Sequence, residues 1–219
     1  MRFRFGFNFT FGPFIKRFIV ADALLFGGWG FVDPIFSIFI VREIPGASLV
    51  TVGITVAIYW VAKSLIQVPI ALFLDKTDGE KDDFYTLIAS LVVVSVGAFG
   101  MTLATSVWHV YFVQIVKALG FAMYVASGPV IFSRHLDPGH NALDWSMDST
   151  IVGLAMGVSG FFAGVIATWF GYDAVFLLAG IFGLIAAIML STAGKFILFF
   201  PGRRHKSVLR DHAPVNVNQ

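Results

Sequence analysis

The chain has 219 residues, of which 58% are hydrophobic and 13% are charged, and its formal net charge is +2. A soluble globular domain carries roughly 25% charged residues, so this composition excludes an ordinary solvated surface and indicates a protein whose main solvent is lipid. The chain has no cysteine and five histidines, which excludes disulfides and thiol chemistry and argues against a structural zinc site.

Six apolar segments are each long enough to cross a bilayer, whose hydrocarbon core of about 30 Å requires about 20 helical residues. These predicted spans, numbered 1 to 6 in chain order, cover residues 18–41, 49–74, 84–105, 108–132, 148–170 and 173–198. The sequence therefore predicts an all-α transmembrane six-helix bundle over residues 18–198. An interfacial or cytoplasmic N-terminal segment, residues 1–17, precedes it, and a basic tail that we expect to be disordered, residues 199–219, follows it.

Lysines and arginines are divided unequally between the two sides of this bundle. Of the 15 basic residues, twelve fall on the side that holds both termini, Arg42 alone falls on the other side, and Lys63 and Lys117 fall inside spans. Loops rich in Lys and Arg stay in the cytoplasm. We therefore expect a multi-pass protein with both termini cytoplasmic, as in a bacterial inner membrane.

Four charged residues are predicted at membrane depth, where a charge is costly and marks a bundle interior or a water-filled cavity. They are Asp22, Asp33, Lys63 and Lys117. Asp33 and Lys117 lie at similar depths, roughly 12 and 13 Å below the outer ends of their spans. They could be an ion pair that fixes packing, or a substrate or proton site. Asp22 lies close to the cytoplasmic end and is expected to be solvated there.

Polar residues recur on one face of spans 1, 2 and 4, whereas spans 3 and 6 offer only isolated polar residues and resemble lipid-facing support. The inward faces are therefore expected to line a cavity that binds a substrate or a proton. The candidate binding residues are Trp29, Asp33, Tyr59, Lys63, Gln67, Gln114, Lys117 and Tyr124. Among them Asp33 is the candidate for protonation, because burial disfavours a charged carboxylate.

Span 5 carries glycines at intervals of three or four residues on one face. They are Gly153, Gly157, Gly160 and Gly164. Small residues at this spacing let two membrane helices approach closely. The pattern leaves two interpretations open, a helix contact within the fold and a seam between two subunits.

The turn between spans 2 and 3 holds the most specific motif of the chain. After Ala71 it reads Asp75-Lys76-Thr77-Asp78-Gly79-Glu80-Lys81. This order of acid, base, glycine and base resembles the signature loop of the major facilitator superfamily, with Ala71 in place of its first glycine and Glu80 in place of a basic residue. Span 4 with Lys117-Ala118-Leu119-Gly120, and the glycine-rich span 5 with the turn Phe170-Gly171-Tyr172, agree with that family.

The resemblance extends over residues 18–198 and implies that spans 1, 2, 4 and 5 line the cavity or the seam between two halves. It also implies a gating loop at the cytoplasmic face, formed by Asp75, Lys76, Gly79 and Lys81. Members of the family have twelve helices in two six-helix halves, each a repeat of three plus three helices. One half alone would expose a polar face to lipid, at a cost of several kcal/mol for each unpaired group.

The function expected from this resemblance is that of a secondary active transporter subunit. It would move a small solute by alternating access as a homodimer. The alternatives are a non-transporting membrane scaffold or assembly partner, and one half of a heteromeric transporter. The expected partners are membrane lipid, a second copy or a homologous half, and a small-molecule substrate, with no nucleic acid. No enzymatic activity and no cofactor are expected, because the sequence shows no hydrolytic centre and no P-loop.

Overall fold

The computed structural model describes residues 12–76 and 80–194, and within these ranges every regular element is an α-helix. The helices are α1 (Pro13–Val32), α2 (Phe36–Glu43), α3 (Leu49–Leu74), α4 (Lys81–Thr102), α5 (Val107–Arg134) and α6 (Asn141–Ser191). The predicted basic tail and most of the predicted N-terminal segment lie outside the described residues. The all-α prediction is confirmed.

Span 1 is built from two helices, α1 and α2, which meet at an angle of 42°. The break falls at Asp33-Pro34-Ile35, where Pro34 has no backbone N–H to continue the helical ladder. The Asp33 N–H still donates to the Trp29 carbonyl, and the Ile35 N–H donates to the Val32 carbonyl. Because the bend interrupts the helix, the Asp33 side chain lies at a helix end rather than inside a continuous wall.

Helix α6 contains 51 residues, which as a straight rod would be about 76 Å long and far exceed a bilayer. It is broken at Gly171, whose φ of 82° and ψ of 169° are not helical. Gly28 of α1 packs against Ala179 and Phe182 of α6, whereas Gly30 packs against Met156 and Ser159. Residues 156 and 182 would be about 39 Å apart in a straight helix, so α6 must fold back on itself at Gly171.

Six crossings therefore account for the described helices. Helices α3, α4, α5 and α6 are each long and apolar enough to span a membrane, and α1 with α2 meets the same criterion as one bent span. The two limbs of α6, residues 141–170 and 172–191, supply spans 5 and 6. The bounds of α3 coincide with predicted span 2, and the predicted turn after span 5 lies at Gly171.

The core forms where α1 packs against both limbs of α6 and where α4 and α5 pack against each other. It is filled by large apolar side chains with no exposed surface, among them Ile15, Leu25, Leu87, Phe132 and Phe176. Helix α3 differs from the rest, because only Thr51, Thr55 and Leu74 of its 26 residues are buried. Most of the surface of α3 is therefore available for contact with lipid or with another polypeptide.

Charged side chains join the helices at the end of the bundle where α1 begins. Arg134, at the end of α5, pairs with Asp83 in the first turn of α4 at 2.5 Å. His135 Nε2 lies 3.6 Å from Glu80, and the Gly12 N–H donates to Asp137 in the connection between α5 and α6. These three contacts join α4, α5 and the start of α1 at this end of the bundle.

Candidate substrate cavity

A cavity of about 540 Å³ lies between α1, α2, α3 and α5, and Met156 of α6 also lines it. Its walls combine aromatic rings with three charged side chains. The lining residues are Phe26, Trp29, Asp33, Phe36, Ser37, Val56, Tyr59, Trp60, Lys63, Gln114, Lys117, Phe121, Tyr124, Val125 and Met156. Spans 1, 2 and 4 thus line a cavity as predicted, and neither α4 nor the second limb of α6 contributes a lining residue.

Lys117 occupies the aromatic side of the cavity. Its Nζ lies 3.7 Å from the centre of the Trp29 ring, 5.0 Å from that of Tyr59 and 5.9 Å from that of Phe121. A cation over an aromatic face is attracted by the negative potential of the ring. The rings hold the ammonium group in place but leave its charge unneutralised.

Asp33 and Lys117 face the same space without forming an ion pair. Their charges interact through the cavity, yet the ion pairs found among residues 12–76 and 80–194 involve neither of them. Asp33 is exposed at the break between α1 and α2. The packing ion pair that the sequence left open is therefore not what the structure shows, and both charges remain accessible to a ligand.

Lys63 and Gln114 supply two further polar groups to the cavity wall. Lys63 Nζ lies 4.8 Å from the centre of the Trp60 ring, and Lys63 is half-buried. The side chain of Gln114 is 2% exposed, and its Oε1 has no hydrogen-bond partner within the described part of the chain. A buried unpaired acceptor costs free energy, so Gln114 is a group that a ligand donor or a water could satisfy.

The structure brings together seven of the eight side chains that the sequence predicts for a binding site. They are Trp29, Asp33, Tyr59, Lys63, Gln114, Lys117 and Tyr124. Gln67 does not line the cavity, since it lies one further turn along α3. The aromatic walls contributed by Phe26, Phe36 and Trp60 were not predicted from the sequence, although Trp60 precedes Lys63 by one helical turn.

Asp22 is not solvated at a helix end, and that prediction is wrong. Its side chain is 6% exposed, and the Tyr124 hydroxyl donates to its Oδ2 at 2.5 Å. The number of residues between Asp22 and the helix end gives its approximate depth in the membrane. It does not show that the packing of α5 and α6 around this turn of α1 excludes water. Tyr124 thus joins Asp22 to the cavity, because its ring lines the cavity while its hydroxyl contacts the carboxylate.

The predicted gating residues lie at the end of the bundle where α1 begins. Asp75 follows the last turn of α3, where its N–H donates to the Ala71 carbonyl, and Asp75 and Lys76 are exposed. Lys81 opens α4 and is also exposed, whereas Gly79 lies outside the described residues. These residues adjoin the paired charges of α4 and α5.

Most of the glycine stripe of span 5 faces away from the other described helices. A side-chain carbon added at Gly153, Gly157 or Gly164 would meet no atom within 4 Å. At Gly160 it would meet only the Gly30 carbonyl, at 3.6 Å. Three of the four glycines therefore make no close contact with another described helix, and the face that they share is open.

Comparison with known proteins agrees with this architecture. The profile of the Major Facilitator Superfamily matches residues 18–214, and a comparison with curated proteins gives no match. The matched range contains the whole cavity and every described helix except the first turn of α1. The chain belongs to the major facilitator superfamily, a family of multi-pass membrane transporters.

Proposed function

We propose that this chain is a subunit of a secondary active transporter, which moves a small solute by alternating access and works as a homodimer. The observation that carries the proposal is the cavity between α1, α2, α3 and α5. It holds Asp33, Lys63 and Lys117 without ion pairs between them. Unneutralised charges at membrane depth are expensive and are retained for substrates, ions or protons.

The second copy is proposed because the cavity is bounded by this chain on one side. Helix α3, which forms one wall, buries only three of its residues. Lipid cannot satisfy the charged groups of the cavity, so another polypeptide has to complete the enclosure. A two-fold axis along the membrane normal would place the same faces of two copies opposite each other, which is the closed arrangement that most oligomers adopt.

The exposed face of the first limb of α6 provides a second contact for that partner. Gly153, Gly157 and Gly164 present backbone without side chains to the outside. Two membrane helices that meet through glycines can approach closely, and close packing is the main attraction between helices in lipid. This face and the exposed side of α3 would be the two contact regions for the second copy.

The cavity favours a small organic anion or a zwitterion. Lys63 and Lys117 would meet its carboxylate or phosphate, and the rings of Trp29 and Tyr59 would stack on its apolar part. Asp33 would either bind a cationic group of a zwitterion or carry a proton. Gln67, which lies outside the cavity in this conformation, would take part only after a change in conformation.

The same proposal places both termini in the cytoplasm of a bacterial inner membrane, because twelve of the 15 basic residues fall on that side. Asp75, Lys76, Gly79 and Lys81 would then form the cytoplasmic gate. A reporter fused after residue 219 is expected to be active only as a cytoplasmic fusion, and activity of a periplasmic reporter there would contradict the orientation.

The function can be tested with the purified chain in lipid nanodiscs and in proteoliposomes. A panel of monocarboxylates, dicarboxylates and amino acids is screened by thermal stabilisation, and each stabilising compound is then tested for exchange across the proteoliposome membrane. We expect at least one anion or zwitterion to exchange, and Lys117→Met to abolish exchange while Lys16→Ala preserves it. A protein that binds and exchanges none of them would support the scaffold or assembly-partner alternative.

A further inference from the structure

Two polar side chains in the wall of the cavity have hydrogen-bonding atoms without a partner. Gln114 of α5 is almost fully buried, and its Oε1 has no donor in the described part of the chain. Trp29 of α1 is also buried, and its Nε1, a donor, has no acceptor there. Both residues line the cavity that holds Lys117. The wall therefore leaves one acceptor and one donor unsatisfied beside a cation.

Gln114 differs in this respect from the other buried polar side chains of residues 12–76 and 80–194. Each of the others has a partner within the protein. The hydroxyls of Thr55, Ser90, Ser95, Ser127 and Ser159 donate to backbone carbonyls, Thr51 accepts from the Ser48 N–H, and Asp22, Asp83 and Asp144 accept from Tyr124, Arg134 and the Asp137 N–H. For Gln114 no such hydrogen bond is found in these ranges, although native proteins pair the large majority of buried polar atoms.

An unpaired amide in this position is unfavourable, because burial removes its hydrogen bonds to water and the protein supplies no replacement. An apolar side chain of similar size would fill the same space without that cost. The amide gains a partner when a ligand in the cavity offers a hydrogen-bond donor. Glutamine carries an acceptor and a donor at its end, and a half-turn of the amide exchanges them. A hydroxyl group, which both donates and accepts, suits either orientation.

Lys117 lies one helical turn after Gln114 on α5. Residues at this spacing face the same side of a helix, with Cβ atoms about 5–6 Å apart. Lys117 Nζ lies 3.7 Å from the centre of the Trp29 ring, and an ammonium group forms strong hydrogen bonds to a carboxylate. A group on the carbon next to that carboxylate would then lie toward the preceding turn of α5, within reach of the flexible Gln114 side chain.

We propose that the cavity selects carboxylates that carry a hydrogen-bond donor on the carbon next to the carboxyl group, and that Gln114 determines this selectivity. Both 2-hydroxy acids and 2-amino acids have this chemistry. Lys117 binds the carboxylate, the Trp29 N–H is a second donor to it, and Gln114 accepts the hydroxyl or amino hydrogen. This selectivity rests on the proposed function, because it concerns the solute of the same cavity.

The selectivity is expected to be pronounced, because a ligand without the donor leaves the Gln114 amide unpaired and away from water. A site built to hydrogen-bond a hydroxyl rejects the analogue that lacks it far more strongly than an apolar pocket rejects a missing methylene. An amino group is also attracted to Asp33, the one carboxylate among the described residues that line the cavity. Gln114 thus separates both classes from plain carboxylates, and Asp33 separates amino acids from hydroxy acids.

Calorimetric titration of the full chain in lipid nanodiscs tests this selectivity with three probes that differ only at the carbon next to the carboxylate. They are 3-phenyllactate with a hydroxyl, phenylalanine with an amino group and 3-phenylpropanoate with neither. We expect 3-phenyllactate or phenylalanine to bind about tenfold more tightly than 3-phenylpropanoate, or better. The tighter of the two identifies a hydroxy acid or an amino acid site. Lactate, alanine and propanoate form the same series for a solute without a ring.

Gln114→Met removes the amide and keeps an unbranched side chain of similar length. The preference should then fall below about twofold, because 3-phenylpropanoate no longer leaves a buried polar group unpaired. Gln114→Leu gives the same measurement if the methionine variant fails to fold. Ser95→Ala is the matched control, because it removes a buried hydroxyl of α4 that does not line the cavity. This control should keep the preference.

Three results would overturn the proposal. They are equal affinity for the three compounds in both series, a preference that survives both Gln114→Met and Gln114→Leu, and the absence of binding by any of the six compounds. A chain that shows the preference but exchanges none of the compounds in proteoliposomes would retain the selective site and lose the transport function. Exchange of plain carboxylates without a preference would retain transport and reject the selectivity, so the two failures are distinguishable.

Discussion

Two sets of glycines lie on neighbouring helices and serve different contacts. Gly27, Gly28 and Gly30 of α1 are buried against α6. A side-chain carbon at Gly30 would lie 2.9 Å from the Met156 Cα and 2.5 Å from the Ser159 hydroxyl. By contrast, Gly153 and Gly157 of α6 have open space around them. The glycines of α1 allow α1 and α6 to pack closely within the bundle, whereas those of α6 remain available for contact outside the chain.

This difference shows what spacing alone can and cannot reveal. The stripe in span 5 has the spacing of a helix interface, but within the described residues only Gly160 lies close to another helix, at the Gly30 carbonyl. The glycines of α1 are less regularly spaced, and they are the ones that admit a neighbouring helix. A small-residue pattern thus indicates that some helix can approach closely, and only the packing identifies which contact is made inside the chain.

The largest effect is expected when a packed glycine is compared with an open one. Gly30→Ala forces the backbones of α1 and α6 apart, because the added carbon meets the Met156 main chain. Overpacking of this kind costs about 2 kcal/mol, to be measured as a lower free energy of unfolding in detergent. Gly157→Ala is the matched control and should change that free energy by less than about 0.5 kcal/mol. Equal losses in both variants would contradict the distinction between the two glycine sets.

A smaller effect is expected on association when the open stripe is filled. Gly157→Leu should leave the single chain stable, since no atom lies within 4 Å of the added carbon. In lipid it should weaken association of two copies by about tenfold, or about 1.4 kcal/mol, because the helices can no longer approach closely.

This weakening can be measured as loss of energy transfer between labelled copies on dilution with lipid. Val96→Leu on the exposed face of α4 is the control and should have no effect. Unchanged association of the Gly157→Leu variant would mean that the stripe is not part of the interface.

The smallest effect extends the comparison from glycines to charges. Arg134→Ala leaves the buried Asp83 carboxylate without its partner. We expect this to lower the free energy of unfolding by about 1 kcal/mol. The loss is this small because Arg134 is 40% exposed, so that solvent screens the ion pair. Lys117→Met removes a charge that has no ion pair, so stability should stay the same or rise. Chemical unfolding of both variants measures this, and a larger loss from Lys117→Met would show that Lys117 stabilises the fold rather than serving a ligand.

Much of the fold could be predicted from the sequence, because hydropathy and bilayer thickness fix the length and number of spans. The bend at Pro34, the bounds of α3 and the turn at Gly171 all follow from local sequence. Most of the cavity could be predicted as well, since Tyr59, Lys63 and Lys117 fall on polar faces of their helices.

The remainder depends on contacts between distant parts of the chain. Nothing near Asp22 in sequence indicates that Tyr124 lies beside it, because the two residues are 102 positions apart. The orientation of the glycine stripe likewise depends on how far each limb of α6 rotates against α1, which no local pattern determines.

Cysteine cross-linking of the chain in membranes tests the central claim, that two copies enclose the cavity. The chain has no cysteine of its own, so a single introduced thiol reports one position. Val56 lines the cavity and is 45% exposed, whereas Val96 lies on α4 and is 54% exposed. With a short bifunctional maleimide, we predict a covalent dimer from Val56→Cys and only monomer from Val96→Cys. Monomer from both variants, or equal dimer from both, would contradict the claim.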